Sequence, residues 1–152
     1  MLKLGRKVEY ALISLLHMAE LSDGDLASSR EIAKRYHMPP EVLGKVLQAL
    51  GRSNLVRSIQ GVRGGYQLNR PLDNITLGQV IQAIEGPVRL TPCLCETYVC
   101  DQEKSCNIKD PVFHFQHQVT QFIFDVSLAT FQQKKIILQN TYQNYELLER
   151  TI

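Results

Sequence analysis

Apolar residues recur at three- and four-residue steps along the first part of the chain and predict a set of short helices. The first helix is expected over residues 6–20, where the apolar positions form one stripe. A capping box at Ser28 predicts a second helix over about 29–36, and Pro40 suits the first turn of a third that ends near Arg52. Two short helices joined by a tight turn behind a packing helix are typical of a helix-turn-helix.

Two runs of strand-forming residues follow the third helix, at 55–59 and 66–68, and a glycine-rich turn from Gln60 to Gly65 separates them. This pattern predicts a β-hairpin, the wing of a winged helix-turn-helix. Arg63 stands in this glycine-rich turn, so no bulky neighbour blocks its approach to a phosphate or a minor groove.

The second half of the chain predicts two further helices with a loop between them. A capping box at Thr76 opens a helix that ends at Glu85, and a long helix begins at Asp110. The long helix carries apolar residues at alternating three- and four-residue steps, as in a heptad seam: Val112, Phe115, Val119, Phe122 and Val126. Two such seams pair naturally, although a helix packed on its own core gives a similar pattern.

Together these elements predict a mainly α protein with a small β-hairpin wing, a winged helix-turn-helix domain followed by a long dimerisation helix. The expected division is a DNA-binding domain over 1–86, a cysteine-rich loop over 87–110, a dimerisation helix over 111–132 and a polar C-terminal tail over 133–152.

Charge is unevenly distributed along the 152 residues. The first 70 hold 11 Lys/Arg against 6 Asp/Glu, whereas the remainder holds 6 against 9. A basic first half suits a polyanionic partner such as DNA. Charged residues interrupt the apolar positions near the N-terminus, and no run is long enough to span a membrane, so we expect a cytoplasmic protein without a membrane partner. Because no catalytic motif or phosphate loop is present, an enzyme is not expected.

Four cysteines lie within fourteen residues: Cys93, Cys95, Cys100 and Cys106. In a cytosolic protein such a cluster indicates metal or redox chemistry, because structural disulfides are rare there. Closely spaced thiolates suit soft metals and iron–sulfur clusters. Structural zinc is less favoured, since it usually draws on two separated cysteine pairs. A switch based on thiol oxidation remains an open alternative.

The exposed face of the third helix is expected to enter the major groove. Lys45 and Gln48 can reach base edges there, and Arg52 can reach a phosphate or a guanine. Arg57 and Arg63 on the wing and Arg30 on the second helix are the further DNA-binding candidates.

Several strings in the chain resemble a family of bacterial winged helix-turn-helix regulators that includes IscR, NsrR, RirA and CymR. They are Tyr10-Ala11-Leu12, Ile32-Ala33, Asn54-Leu55-Val56 and Gly61-Val62-Arg63-Gly64-Gly65-Tyr66-x-Leu68. The order of wing, capped helix, cysteine loop and long helix also matches. The resemblance implies a homodimer that binds palindromic double-stranded promoter DNA. In cluster-binding members, it implies a DNA affinity that changes when an iron–sulfur cluster is bound, lost or oxidised.

The resemblance also implies cluster ligands. Cys100 and Cys106 have the family's gap of five residues, and Cys93 matches the position of the first ligand, which leaves Cys95 as a spare thiol or a fourth ligand. IscR-like members use a histidine where this chain has Lys109. NsrR-like members use a carboxylate from helix one of the partner subunit, and Glu9 occupies that position.

The sequence therefore predicts a DNA-binding transcription regulator, a repressor, that senses redox, iron or nitric oxide status through an iron–sulfur cluster held by the cysteine loop. Both [2Fe–2S] and [4Fe–4S] clusters remain open. The alternative is a cluster-free winged-helix repressor controlled by cysteine oxidation or by a protein partner.

Overall fold

The structure is a computed structural model, and it describes residues 3–22, 24–62, 64–94 and 99–132. Its elements along the chain are α1 (Arg6–Ala19), α2 (Ser29–Arg35), α3 (Pro40–Arg52), β1 (Val56–Ile59), β2 (Gly65–Leu68), a 3₁₀ turn (Leu72–Asn74), α4 (Leu77–Glu85), a second 3₁₀ turn (Pro92–Leu94), α5 (Lys109–Asp125) and α6 (Ala129–Gln132). This confirms the predicted fold class, a mainly α protein with one small hairpin.

Side-chain caps determine where α2 and α4 begin. The Ser28 hydroxyl accepts a hydrogen bond from the Glu31 amide at 3.1 Å. Thr76 and Gln79 form a reciprocal capping box, in which each side chain accepts from the other residue's backbone amide. Such bonds satisfy amides that a helix leaves unpaired in its first turn, so these two starts could be predicted from sequence.

The core lies where α1 packs against α3 and α4. Leu15 of α1 and Leu43, Leu47 and Leu50 of α3 are fully buried. Because these residues recur every three or four positions, each helix turns one continuous apolar stripe inward. The opposite side of α3 is thereby left in solvent.

The wing is a two-stranded antiparallel hairpin in which Val56 pairs with Leu68 and Ile59 with Gly65. The strands are one residue shorter at the start of β1 and one residue longer at the start of β2 than the sequence pattern predicts. Ala27 forms an isolated bridge to Tyr66, with hydrogen bonds of 2.9 and 2.8 Å in the two directions. This bridge joins the hairpin to the segment that leads into α2.

α5 packs against α4 and ends at Asp125, after which the chain returns to the N-terminal domain. The amide of Leu77 donates to the carbonyl of Val126 and the amide of Leu128 to that of Ile75, both at 2.8 Å. Leu128 is fully buried. The single helix predicted over 111–132 is therefore interrupted: α5 ends at Asp125, an extended joint follows, and the short helix α6 begins at Ala129. The backbone bonds of the joint fix the end of α5 to the start of α4.

Candidate nucleic-acid interface and cysteine loop

The solvent face of α3 carries four polar side chains in a row. Glu41, Lys45, Gln48 and Arg52 are all exposed, and the apolar residues between them turn into the core. Spacings of three and four residues place them on one side of the helix. An exposed helix face of this length, presented by a helix-turn-helix, has the dimensions to enter a major groove.

The other predicted DNA-binding residues flank that face. Arg30 is exposed in the first turn of α2. Arg57 is exposed on β1, and its guanidinium faces the side-chain amide of Gln67, its cross-strand neighbour. Arg63 lies outside the residues that the structure describes.

Three of the four cysteines lie on described parts of the loop. Cys93, Cys100 and Cys106 are free thiols; Cys93 is exposed and the other two are half-buried. The Cys93 sulfur lies 3.1 Å from the hydroxyl oxygen of Thr91. Cys95 lies outside the described residues. Unpaired thiols at the surface are accessible to a metal, an oxidant or a cluster-delivering partner.

Lys109, at the position of the IscR-like histidine, forms an ion pair with Glu103 at 2.9 Å. The hydrogen bond to Glu103 and the negative charge of its carboxylate raise the pKa of Lys109 above its usual value. The side chain therefore stays a protonated ammonium at neutral pH, which has no lone pair for a metal.

Glu9 is half-exposed in the first turn of α1, where its carboxylate accepts a hydrogen bond from Arg6 at 3.0 Å. Both side chains reach solvent. Exposed pairs of this kind contribute little to stability, so the carboxylate can exchange Arg6 for another partner at small cost.

The donor set fits an iron–sulfur cluster by its chemistry, since soft thiolates are its usual ligands. Among residues 3–22, 24–62, 64–94 and 99–132, however, no three His, Cys, Asp or Glu side chains are grouped so that they could hold a metal ion.

Two side chains have roles that the sequence pattern did not indicate. His17 is buried between α1 and α2, where its Nδ1 lies 3.3 Å from the Tyr36 hydroxyl and the two rings pack edge to face. Gln116 of α5 hydrogen-bonds to the backbone of the cysteine loop. A polar residue within an amphipathic helix gives no periodic signal, so only the fold shows these contacts. His114 and His117 of α5 are exposed.

Taken together, the three-helix core, the hairpin after α3 and the exposed polar face of α3 define a winged helix-turn-helix DNA-binding protein. A family model described as Rrf2, an iron-dependent transcriptional regulator, matches residues 4–134. The chain belongs to this Rrf2 family of transcription regulators.

Relatives of known sequence agree with that membership. A proposed HTH-type transcriptional regulator of Haemophilus influenzae is 26% identical over 147 residues, which cover 97% of each chain. A second such protein, from Synechocystis, is 42% identical over 91 residues, 60% of this chain and 62% of the relative. The family and these relatives are transcription regulators, so the chain is a DNA-binding regulator and not an enzyme.

Solved structures share the fold. CymR, the global cysteine regulator of B. subtilis, superposes with a TM-score of 0.71 at 24% identity, covering 90% of this chain and 100% of CymR. IscR of T. potens gives 0.65 at 21% identity, with 91% of each chain covered. Among the described residues, no helix is both long enough and apolar enough to cross a membrane.

Proposed function

We propose that this regulator is a cytoplasmic repressor that binds palindromic promoter DNA as a homodimer, through α3 and the wing. The observation that carries this proposal is the solvent face of α3, with Lys45, Gln48 and Arg52 exposed on one side of a helix whose other side is fully packed. Arg30, Arg57 and Arg63 would contact phosphates on either side of the groove.

The homodimer is supported by an apolar surface on α5. Phe115 and Phe122 are 52% and 68% exposed. Residues seven apart fall on the same side of a helix. Two large aromatic side chains left in solvent on one helix face favour burial against a second copy of the same helix. A dimer with two-fold symmetry would match the symmetry of a palindromic operator.

The cysteine loop is proposed to be the sensor, with an iron–sulfur cluster held by Cys93, Cys100 and Cys106. Free thiols on an accessible loop support this role, as does the family's description as iron-dependent. Glu9 of the partner subunit is the proposed fourth ligand, with Cys95 as the alternative. The cluster would supply a redox-active, iron-responsive group whose presence changes the conformation of the loop.

A cluster-free thiol switch is the second candidate. It is favoured by the exposure of Cys93, whose free thiol an oxidant can reach. In this alternative, oxidation of Cys93 would change the loop directly, or a protein partner would bind the loop.

Two substitutions distinguish the DNA-binding surface, formed by α3 and the wing, from the proposed sensor, the cysteine loop. Arg63→Ala should weaken DNA binding and lower the salt dependence of the affinity by roughly one phosphate contact, while iron content stays unchanged. Cys106→Ala should abolish the visible absorbance of iron-loaded protein. Binding is measured by fluorescence anisotropy at several salt concentrations, with Lys104→Ala as a control for a cation outside the DNA-binding surface.

Undiminished DNA binding by Arg63→Ala would show that the wing does not contribute to DNA binding. Retained absorbance in Cys106→Ala would refute the ligand assignment.

A further inference from the structure

The side-chain amide of Gln116 attaches α5 to the chain immediately before Cys93. Its Nε2 donates to the carbonyl of Val88 at 2.7 Å, and its Oε1 accepts from the amide of Leu90 at 2.8 Å. Nε2 also donates to the Thr120 hydroxyl one turn further along α5, at 2.7 Å. Both ends of the amide are therefore occupied, which fixes its orientation and ties residues 88–90 to the helix.

The segment that Gln116 holds, residues 88–90, is followed within three residues by the thiol of Cys93. Thr91 follows Leu90, and its hydroxyl oxygen lies 3.1 Å from the sulfur of Cys93. Oxidation of Cys93, or its binding to iron, changes the charge and hydrogen-bonding capacity of that sulfur. The Thr91 contact must then be remade, next to the amide that bonds to Gln116.

The helix that carries Gln116, α5, contacts α4 of the DNA-binding domain. The Phe124 ring lies directly on Gly78 of α4, where an added Cβ would stand 2.5 Å from ring carbons. Beyond it, the backbone bonds of Val126 and Leu128 fix the end of α5 to the start of α4. Packed and hydrogen-bonded contacts therefore join α5, which carries Gln116, to the winged-helix domain.

We infer that Gln116 is the positioning residue through which the state of the cysteine loop sets the placement of α5, and with it the DNA affinity; this inference rests on the proposed role of the loop as sensor. The spacing of the two DNA half-sites that a dimer can bind depends on the elements that join its two DNA-binding domains. A loop state that favours one position of α5 over another thereby changes the affinity for an operator of fixed spacing.

The test compares the operator affinity of two loop states in three proteins. Wild-type protein, Gln116→Leu and the exposed-site control Gln118→Leu are each prepared with iron and sulfide loaded and with both removed under reducing conditions. The probe is a DNA duplex selected from a random pool by wild-type protein, and binding is measured by anisotropy. Iron per chain, visible absorbance and oligomeric state are recorded for every sample.

Wild-type protein and Gln118→Leu should change affinity by about tenfold between the two states, within the usual range for coupled sites. Gln116→Leu should change it by less than about twofold, with iron content, absorbance and oligomeric state as in wild type. Should Gln116→Leu fail to fold, Gln116→Glu replaces it with the same expectation, because a carboxylate cannot donate to the Val88 carbonyl.

A tenfold response retained by the Gln116 variant would overturn the inference and leave the sensor role intact. A wild-type protein that loads iron but shows equal affinity in both states would overturn the sensor role and this inference together. The two failures are therefore distinguishable in one experiment.

Discussion

Lys109 distinguishes this loop from an IscR-like one at the scale of a single residue. Its ammonium is paired with Glu103, which raises its pKa, so it carries a proton across the neutral range and cannot ligate iron. Lys109→Ala should therefore leave the iron content of the loaded protein within error of wild type, whereas Cys106→Ala should lose it. Iron assays on both variants after identical reconstitution check this expectation.

A large loss of iron in Lys109→Ala would assign a ligand role to that position.

The same residue also shows what the sequence could predict. The amino-acid sequence alone reveals a lysine at the family position, but the ion pair of that lysine depends on a turn in the loop that brings Glu103 back to the start of α5. The chemistry of a residue follows from its identity, whereas its partners follow only from the fold.

At the level of whole helices, the close packing of α5 on α4 depends on Gly78 of α4. The Phe124 ring fills the place of a Cβ at Gly78, whereas Gly44 of α3 has nothing within 4 Å of that position. Gly78→Ala should lower the free energy of unfolding by about 1–3 kcal/mol through overpacking. Gly44→Ala should raise it by about 0.5–1 kcal/mol, because alanine restricts the unfolded chain and favours a helix.

Urea denaturation of the two variants provides the measurement, and a stabilised Gly78→Ala would contradict the close approach of α5. At this scale the sequence predicted the helices well, since local caps and apolar periodicity determine where α2 and α4 begin. The joint at Val126–Leu128 was not predictable, because it pairs with residues about fifty positions earlier in the chain.

The residues of the predicted heptad seam differ in their exposure, which bears on the proposed assembly of the whole molecule. The predicted heptad seam combines two environments: Val112, Val119 and Val126 are half-buried, whereas Phe115 and Phe122 stay exposed. A heptad repeat alone cannot distinguish packing within a chain from packing between chains. Only the fold shows which of these residues remain available to a second copy.

The double substitution Phe115→Ser/Phe122→Ser should convert the proposed dimer into monomer, because it removes the apolar area that a second α5 would bury. His117→Ser, at an exposed site on a different side of the same helix, should leave the dimer unchanged. Sedimentation velocity over a range of concentrations measures both. A dimer that survives the double substitution would place the interface on another surface.

The most direct measurement is the iron and acid-labile sulfide content of the full chain purified without oxygen, together with its visible absorbance and Mössbauer spectra. We expect iron and sulfide in equal amounts and a charge-transfer absorbance band, with the Mössbauer spectrum giving the cluster type. A colourless, iron-free protein that resists reconstitution with iron and sulfide would contradict this expectation, and the cysteine loop would then be a thiol switch.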